Sequence, residues 1–336
     1  MMKKYLILFL FTIFVVAVHA AENVVQPSFL KKGDKVALIS PSYYIEPTVV
    51  SQAADVLKKW GLVPVIGNNV GKKYAGKYAG TPQERAEDLL WALHDDEVKA
   101  VICNRGGYGA IHLIDFVPLK EFAEHPKWFV GFSDITTIHS FLSVAGVMSI
   151  HGTMPKEMVN AKGNDQTSLL LKNILFGNIP EYQLRPNRYN LKGNAEGTLV
   201  GGNLCVLSAL GGSFCDATNK DGIILFLEEI GENKRNIDRL FNTLKVRGVL
   251  SRVKGIIFGE FIDAGNDLDF ESVEQMLYPY LEKLNIPVCC GFPAGHGDIN
   301  FPLIHGATVQ LDVNQQGASI RFSNVMAEGG GIVDCP

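Results

Sequence analysis

KWFVGFSDITTIHSFLSVAG, residues 127–146, is the stretch on which the fold turns. WFVGF is a compact apolar run, and FLSVAG can continue a helix begun just before it. A strand is expected to end at Phe132 and a helix to begin near Asp134, with Ser133 at the corner. Ser133 or Asp134 can serve as the helix cap, because both side chains accept hydrogen bonds from the orphan N–H groups of a first turn. The other reading makes Ser133 a nucleophile raised clear of a sheet, with the helix N-terminus favouring negative charge beside it. Gly131 permits close backbone approach, but Ile135 stands where a G-x-S-x-G elbow has its second glycine. Local sequence leaves both readings open.

The same alternation extends outward. KVALIS, LVPVIG, VKAVICN and VMSIHG are short apolar runs. Between the first three lie TVVSQAADVLKKWG, with apolar residues at helical spacing, and TPQERAEDLLWALHD. The latter opens with Thr81 at a cap position and Pro82 at the first helical position. Continuous apolar strands alternating with helices imply an α/β unit, a parallel sheet covered on both faces, over about 24–160. Residues 161–195 hold one helix and then the Pro- and Asn-bearing NIPEYQLRPNRYN, read as a linker. Residues 196–325 are richer in strands (GTLVGG, GIILFLEE, VKGIIFGEF, PVCCGF, ATVQLDV) with two helices among them, a mixed α+β second domain. The tail 326–336 is expected to be mobile.

The bulk properties narrow the function. At 336 residues the chain has room for two domains, and 47% hydrophobic against 20% charged residues fits a globular protein. A net charge of −4 argues against nucleic acid as a partner. Residues 1–20 read as a signal peptide: a basic head, an apolar run shorter than the roughly 20 residues of a bilayer span, and small residues before a cleavage point after Ala20. No later segment is long and apolar enough to span, so a soluble exported or periplasmic chain is expected. The six cysteines show no CxxC and no zinc spacing with histidine, and any pairing among them is not readable.

Two further constellations join Ser133. RGGYG, 105–109, lacks the third glycine of a dinucleotide loop and does not follow the first strand, but consecutive glycines let backbone N–H groups converge on an oxyanion. In the second half, GIILFLEE ends in Glu228 and Glu229, and GHG holds His296 between glycines. A serine nucleophile needs a base, and the base needs an orienting carboxylate. Ser133, Glu228 and His296 supply those three types in the order Ser…Glu…His. With eight histidines in the chain, the spacing alone is weak.

Taken together, GDKVALISPS, AGTPQERAEDLLWALHDDEVKAVICNRGGYGA, GFSDIT, HGTMP, GGNL, LFLEEIGENKRNIDR and GFPAGHGDINFPLIHGATVQLD resemble the LD-carboxypeptidases of the serine peptidase type. That group includes muropeptide LD-carboxypeptidases and microcin C immunity peptidases. The resemblance runs from about Gly33 to Asp312. It implies a flavodoxin-like N-terminal domain and a C-terminal β-rich swivelling domain, with the site in the cleft between them. It places the nucleophile on Ser133, the base on His296, its carboxylate on Glu228, and the oxyanion donors on the N–H groups of Asp134 and Gly107. Arg105 is the candidate for a substrate carboxylate. No metal and no cofactor are implied, and the expected substrate is a murein tetrapeptide ending in D-alanine. A homodimer is one option for the oligomeric state. His112, His139 and His151 are alternative bases, expected instead to fill packing positions. The rival readings are a peptidase for a peptide-nucleotide antibiotic and a non-catalytic periplasmic binding protein.

Overall fold

A computed structural model describes residues 24–336, so the leader expected at 1–20 lies outside the described residues. The first half runs β1 (Lys35–Ile39), α1 (Pro47–Lys59), β2 (Val63–Ile66), α2 (Pro82–His94), β3 (Val98–Cys103), α3 (Leu119–Glu124), β4 (Trp128–Gly131), α4 (Thr136–Val144), β5 (Ser149–His151). Strands β2, β1, β3, β4 and β5 lie side by side in that order, all parallel. Their apolar runs are continuous because both faces are covered. Val36, Leu38, Ile102 and Val130 pack on the side of Val50 and Leu57 from α1. Ala37, Ile39, Val101 and Phe129 pack on the other, against Leu89 of α2, Phe122 of α3 and Ile138 of α4. Helix α2 begins as its sequence requires. Thr81 Oγ1 accepts from Glu84 N at 3.2 Å, the Glu84 carboxylate accepts from Thr81 N at 2.8 Å, and Pro82 opens the helix.

Helices α5 (Pro155–Met158) and α6 (Gln166–Leu175) lead to the second sheet. It is built from β6 (Glu181–Leu184), β7 (Gly193–Asn203), β8 (Ile223–Ile230), β9 (Val253–Ile262), β10 (Val288–Cys290), β12 (Thr308–Asn314), β13 (Gly317–Phe322) and β14 (Ile332–Asp334). Between these strands run α7 (Leu204–Ala209), α8 (Lys234–Val246) and α9 (Val273–Leu281). The strand order is β10-β9-β8-β7-β12-β13-β6-β14. The first four are parallel, and β7, β12, β13 and β6 pair antiparallel, giving a mixed sheet.

The structure places three segments differently from their sequence reading. Residues 161–195 are not a bare linker, since β6 pairs with β13. Tyr182 and Leu184 face inward while Glu181 and Gln183 are partly exposed, a period of two too short to stand out between Pro180 and Pro186. The tail read as mobile supplies β14, which pairs with β6. Strand β11 (Leu303–His305) crosses over and pairs antiparallel with β5, adding an edge to the first sheet. Residues 291–302 therefore run from one sheet to the other, and they carry His296. The halves are further joined by Asn203 N donating to Thr136 Oγ1 at 3.0 Å and Ser140 Oγ donating to Cys215 O at 2.6 Å. All six cysteines are free thiols. No helix among the described residues is long and apolar enough to cross a membrane.

Candidate active site

Strand β4 stops at Gly131, and Ser133 follows with φ +64°, in the left-handed region that a residue with a Cβ rarely occupies. Such a backbone costs roughly 1–3 kcal/mol and clusters at sites where position matters more than stability. Neither Ser133 nor Asp134 caps the helix, so the cap option that the local sequence left open is not the one taken: the 133–135 turn and α4 begin without a side-chain cap. The Asp134 side chain is instead buried beneath the neighbouring loops. Its Oδ2 accepts from Ser42 Oγ at 2.6 Å and from Ala110 N at 2.8 Å. One carboxylate thus ties the turns after β1, β3 and β4 together. Burial raises its pKa, against the pull of those two hydrogen bonds and of the Arg85 charge.

The glycine loop lies against that corner. A Cβ on Gly106 would sit 3.1 Å from Ser133 Oγ. Gly107 has φ +116°, and a Cβ there would come 2.2 Å from the Tyr43 ring, so only glycine fits. The N–H groups of Gly107 and Asp134 carry no hydrogen bond among the described residues, which leaves both available to a ligand. Arg85 holds the loop in place. Buried in α2, its guanidinium donates to Pro41 O and Gly109 O, both at 2.6 Å. Sequence reasoning passed over Arg85; the signal was a charged residue one helical turn before Leu89 on the apolar face of α2. Arg105, half-buried, donates to Tyr44 O at 3.1 Å and lies over the Tyr43 ring at 5.8 Å.

From the second half come Glu228 and His296. Consecutive strand residues face opposite ways, so the two acids ending β8 part company. Glu229 turns to Asn203 Nδ2 at 2.8 Å and Cys205 N at 2.7 Å. Glu228, fully buried beside an irregularity in the β8–β9 pairing, turns to His296. Its Oε2 is 2.7 Å from His296 Nδ1. Burial of the ring works against the charged imidazolium. The hydrogen bond and charge of Glu228, with the charges of Glu229 and Glu157, outweigh it and raise the His296 pKa. The loop is pinned on the far side by Gly297 N, which donates to Glu260 Oε2 at 2.9 Å. The His296 ring stands 5.0 Å from the ring of Phe132, the residue before Ser133. Ser133 and His296 are both partly exposed, while Asp134 and Glu228 behind them are buried.

The other histidines are placed elsewhere. His112 sits 3.2 Å from Arg85 Nη2. His139 and His151 are buried, and desolvation lowers their pKa to about 4 and about 3. Phe132, Arg85, Glu260 and the Asp134 carboxylate are the participants that sequence reasoning missed. A partly exposed hydroxyl, an imidazole backed by a buried carboxylate, and two uncommitted N–H groups form an arrangement suited to acyl transfer.

Residues 36–152 match the LD-carboxypeptidase N-terminal domain, and residues 196–311 match the LD-carboxypeptidase C-terminal domain. A putative carboxypeptidase of Synechocystis is 33% identical over 296 residues, covering 87% of this chain and 95% of that protein. A probable murein peptide carboxypeptidase of Bacillus subtilis is 32% identical over 303 residues, covering 88% and 94%. The crystal structure of a muramoyltetrapeptide carboxypeptidase from Oxalobacter formigenes aligns with a TM-score of 0.78 at 26% identity, over 86% of this chain and 99% of that one.

Proposed function

This chain belongs to the LD-carboxypeptidase family of serine peptidases, and on that premise we propose that it is exported and removes the terminal D-alanine from murein tetrapeptides through Ser133, His296 and Glu228. The observation that carries this reading is the Glu228–His296 pair at 2.7 Å, delivered by a second-half loop beside the turn that holds Ser133.

In the proposed reaction His296 Nε2 takes the proton from Ser133 Oγ as the oxygen attacks the carbonyl of the terminal L,D peptide bond. The N–H groups of Asp134 and Gly107 hold the resulting oxyanion. His296 returns the proton to the amine of the departing D-alanine, and the bond from the carbonyl carbon to that nitrogen breaks. Water, deprotonated by His296, then attacks the acyl carbonyl; the bond to Ser133 Oγ breaks, His296 returns the proton to that oxygen, and the shortened peptide leaves. Glu228 keeps Nδ1 protonated and stabilises the imidazolium in both halves. Arg105 opens the glycine loop, where its charge suits the free carboxylate of the substrate.

This role for Glu228 sets a pH dependence. The base must be neutral to act, so kcat/KM rises as pH climbs through the His296 pKa, which Glu228 holds above the ordinary value. Glu228→Gln removes that charge. The acid limb of the kcat/KM profile is expected to move to lower pH, while the plateau falls by about 10²- to 10⁴-fold because the correct tautomer is no longer enforced. An unmoved limb in a folded variant would assign Glu228 a merely structural role.

Substrate choice is tested by direct competition. The mature chain from the exported fraction, with its N-terminus expected at Ala21, is offered murein tetrapeptide and a peptide-nucleotide conjugate. The expected result is a kcat/KM for tetrapeptide at least about tenfold higher, a difference of about 1.4 kcal/mol in transition-state binding. Preference for the conjugate, or an unprocessed N-terminus, would overturn the corresponding part of the proposal.

A further inference from the structure

Helices α2 and α3 end side by side, and three side chains meet there: His94, Glu121 and His125. One potential ligand atom from each lies within 4.8 Å of the others. His94 Nε2 is 2.7 Å from Glu121 Oε2, and the rings of His94 and His125 stand edge-to-face at 4.9 Å. Among the described residues this is the one group of histidine, cysteine or acidic side chains with such convergence. We propose that it is a binding site for a single divalent transition ion of the zinc class.

The donor set selects the ion. Two imidazoles and one carboxylate suit Zn²⁺, Ni²⁺ or Cu²⁺, whereas Ca²⁺ and Mg²⁺ call for oxygen ligands. Three protein ligands leave a position for water. Bonds of about 2.0–2.2 Å require the ligand atoms to draw in from their present spacing. His94 is exposed and Glu121 and His125 are partly so, which leaves the two imidazoles room to turn toward the Glu121 carboxylate. On binding, the His94–Glu121 hydrogen bond gives way, and the Nε2 and carboxylate oxygen that share it now turn to the ion instead. Lys120 Nζ, 3.9 Å from Glu121 Oε1, is the competing cation, and it is exposed and free to swing away.

The topology separates this site from the peptidase chemistry. A helix between parallel strands runs back toward the amino edge of the sheet. His94 therefore precedes β3 and His125 precedes β4 at that edge, while Ser133 follows β4 at the carboxyl edge. The stretch from Trp128 to Ser133 alone spans roughly 15 Å of extended chain. A bound ion would clamp α2 to α3 over one face of the first sheet, stabilising the fold by mass action without touching the substrate.

The test uses the untagged full mature chain, stripped with EDTA and dialysed, then titrated with ZnCl₂ by calorimetry and followed by thermal unfolding. One equivalent is expected to bind and to raise Tm by several degrees, with MgCl₂ producing neither effect. His94→Ala/His125→Ala is expected to lose both the equivalent and the Tm shift while keeping the metal-free Tm and the peptidase rate. Glu121→Gln keeps both imidazoles and is expected to bind at least about tenfold more weakly. If the double variant retains the zinc equivalent, or the wild type responds equally to MgCl₂, the assignment is wrong.

Discussion

Ser133→Ala is expected to lower kcat/KM for D-alanine release by at least about 10⁴-fold while leaving the fold intact. In the proposed reaction the Ser133 hydroxyl is the group that bonds to substrate, and alanine supplies no oxygen to replace it. The proposed mechanism makes Ser133 and His296 one unit, so Ser133→Ala/His296→Ala is expected to cost little more than either alone. The backbone adds a second readout. Alanine at φ +64° keeps the strain of the native serine, so Tm should hardly move. Ser133→Gly, equally inactive, releases that strain and is expected to be more stable by about 1 kcal/mol. An inactive but stabilised glycine variant is the signature of a residue kept in a costly conformation for its chemistry. Full activity in either variant would remove Ser133 from the mechanism.

Acid is expected to unfold the protein early, and the cause lies under the active site. His139, His151 and His305 cluster between the two sheets, with His139 and His305 rings 5.0 Å apart and His151 and His305 rings 6.2 Å apart. All three are buried. Desolvation lowers the pKa to about 4 for His139 and about 3 for His151, and pushes His305 well down. An unfolded histidine titrates near 6.5. Between that value and the folded ones, the unfolded chain binds protons that the folded chain refuses. Stability is therefore full above about pH 6.5 and is lost as pH falls through the window below it. At pH 5, His139 and His151 together remove about 4 kcal/mol, a large part of the 5–15 kcal/mol that holds a typical domain. Buried Asp88, Asp134 and Glu229, and the partly buried Glu157 and Glu260, act in the opposite sense, because desolvation raises their pKa. A variant isolates the histidine contribution: His139→Gln should flatten the fall of denaturant-derived stability between pH 7 and 5 by about 2 kcal/mol. An unchanged slope in that variant would show that His139 stays out of the acid transition.

Much of this arrangement was legible in the sequence, for physical reasons that also mark where reading stopped. The first sheet announced itself because parallel strands buried on both faces are unbroken apolar runs, as in VKAVIC, and because α2 carries its start signal in Thr81, Pro82 and Glu84. Strand β6 did not, since four residues of alternation between prolines carry too little pattern. The crossing of β11 into the first sheet is a tertiary event with no local signature. At the site, residue types at strand ends and in glycine loops suggested Ser133, Glu228 and His296. What single-sequence reasoning could not supply was their support. Asp134 looks like a cap in sequence, and only the left-handed turn at Ser133 sends its carboxylate under two other loops. The division of labour between Glu228 and Glu229 follows from strand alternation, but which acid faces the histidine depends on the β8–β9 register.

In the proposed function, Ser133 from the first half of the chain and Glu228 and His296 from the second build one serine carboxypeptidase site for murein tetrapeptide. Release of D-alanine from defined tetrapeptide by the purified chain in EDTA, with Ser133→Ala run beside it, tests this most directly. Equimolar D-alanine and tripeptide are expected from the wild type, and neither from the variant. No release by a folded wild-type chain, or equal release by Ser133→Ala, would contradict it.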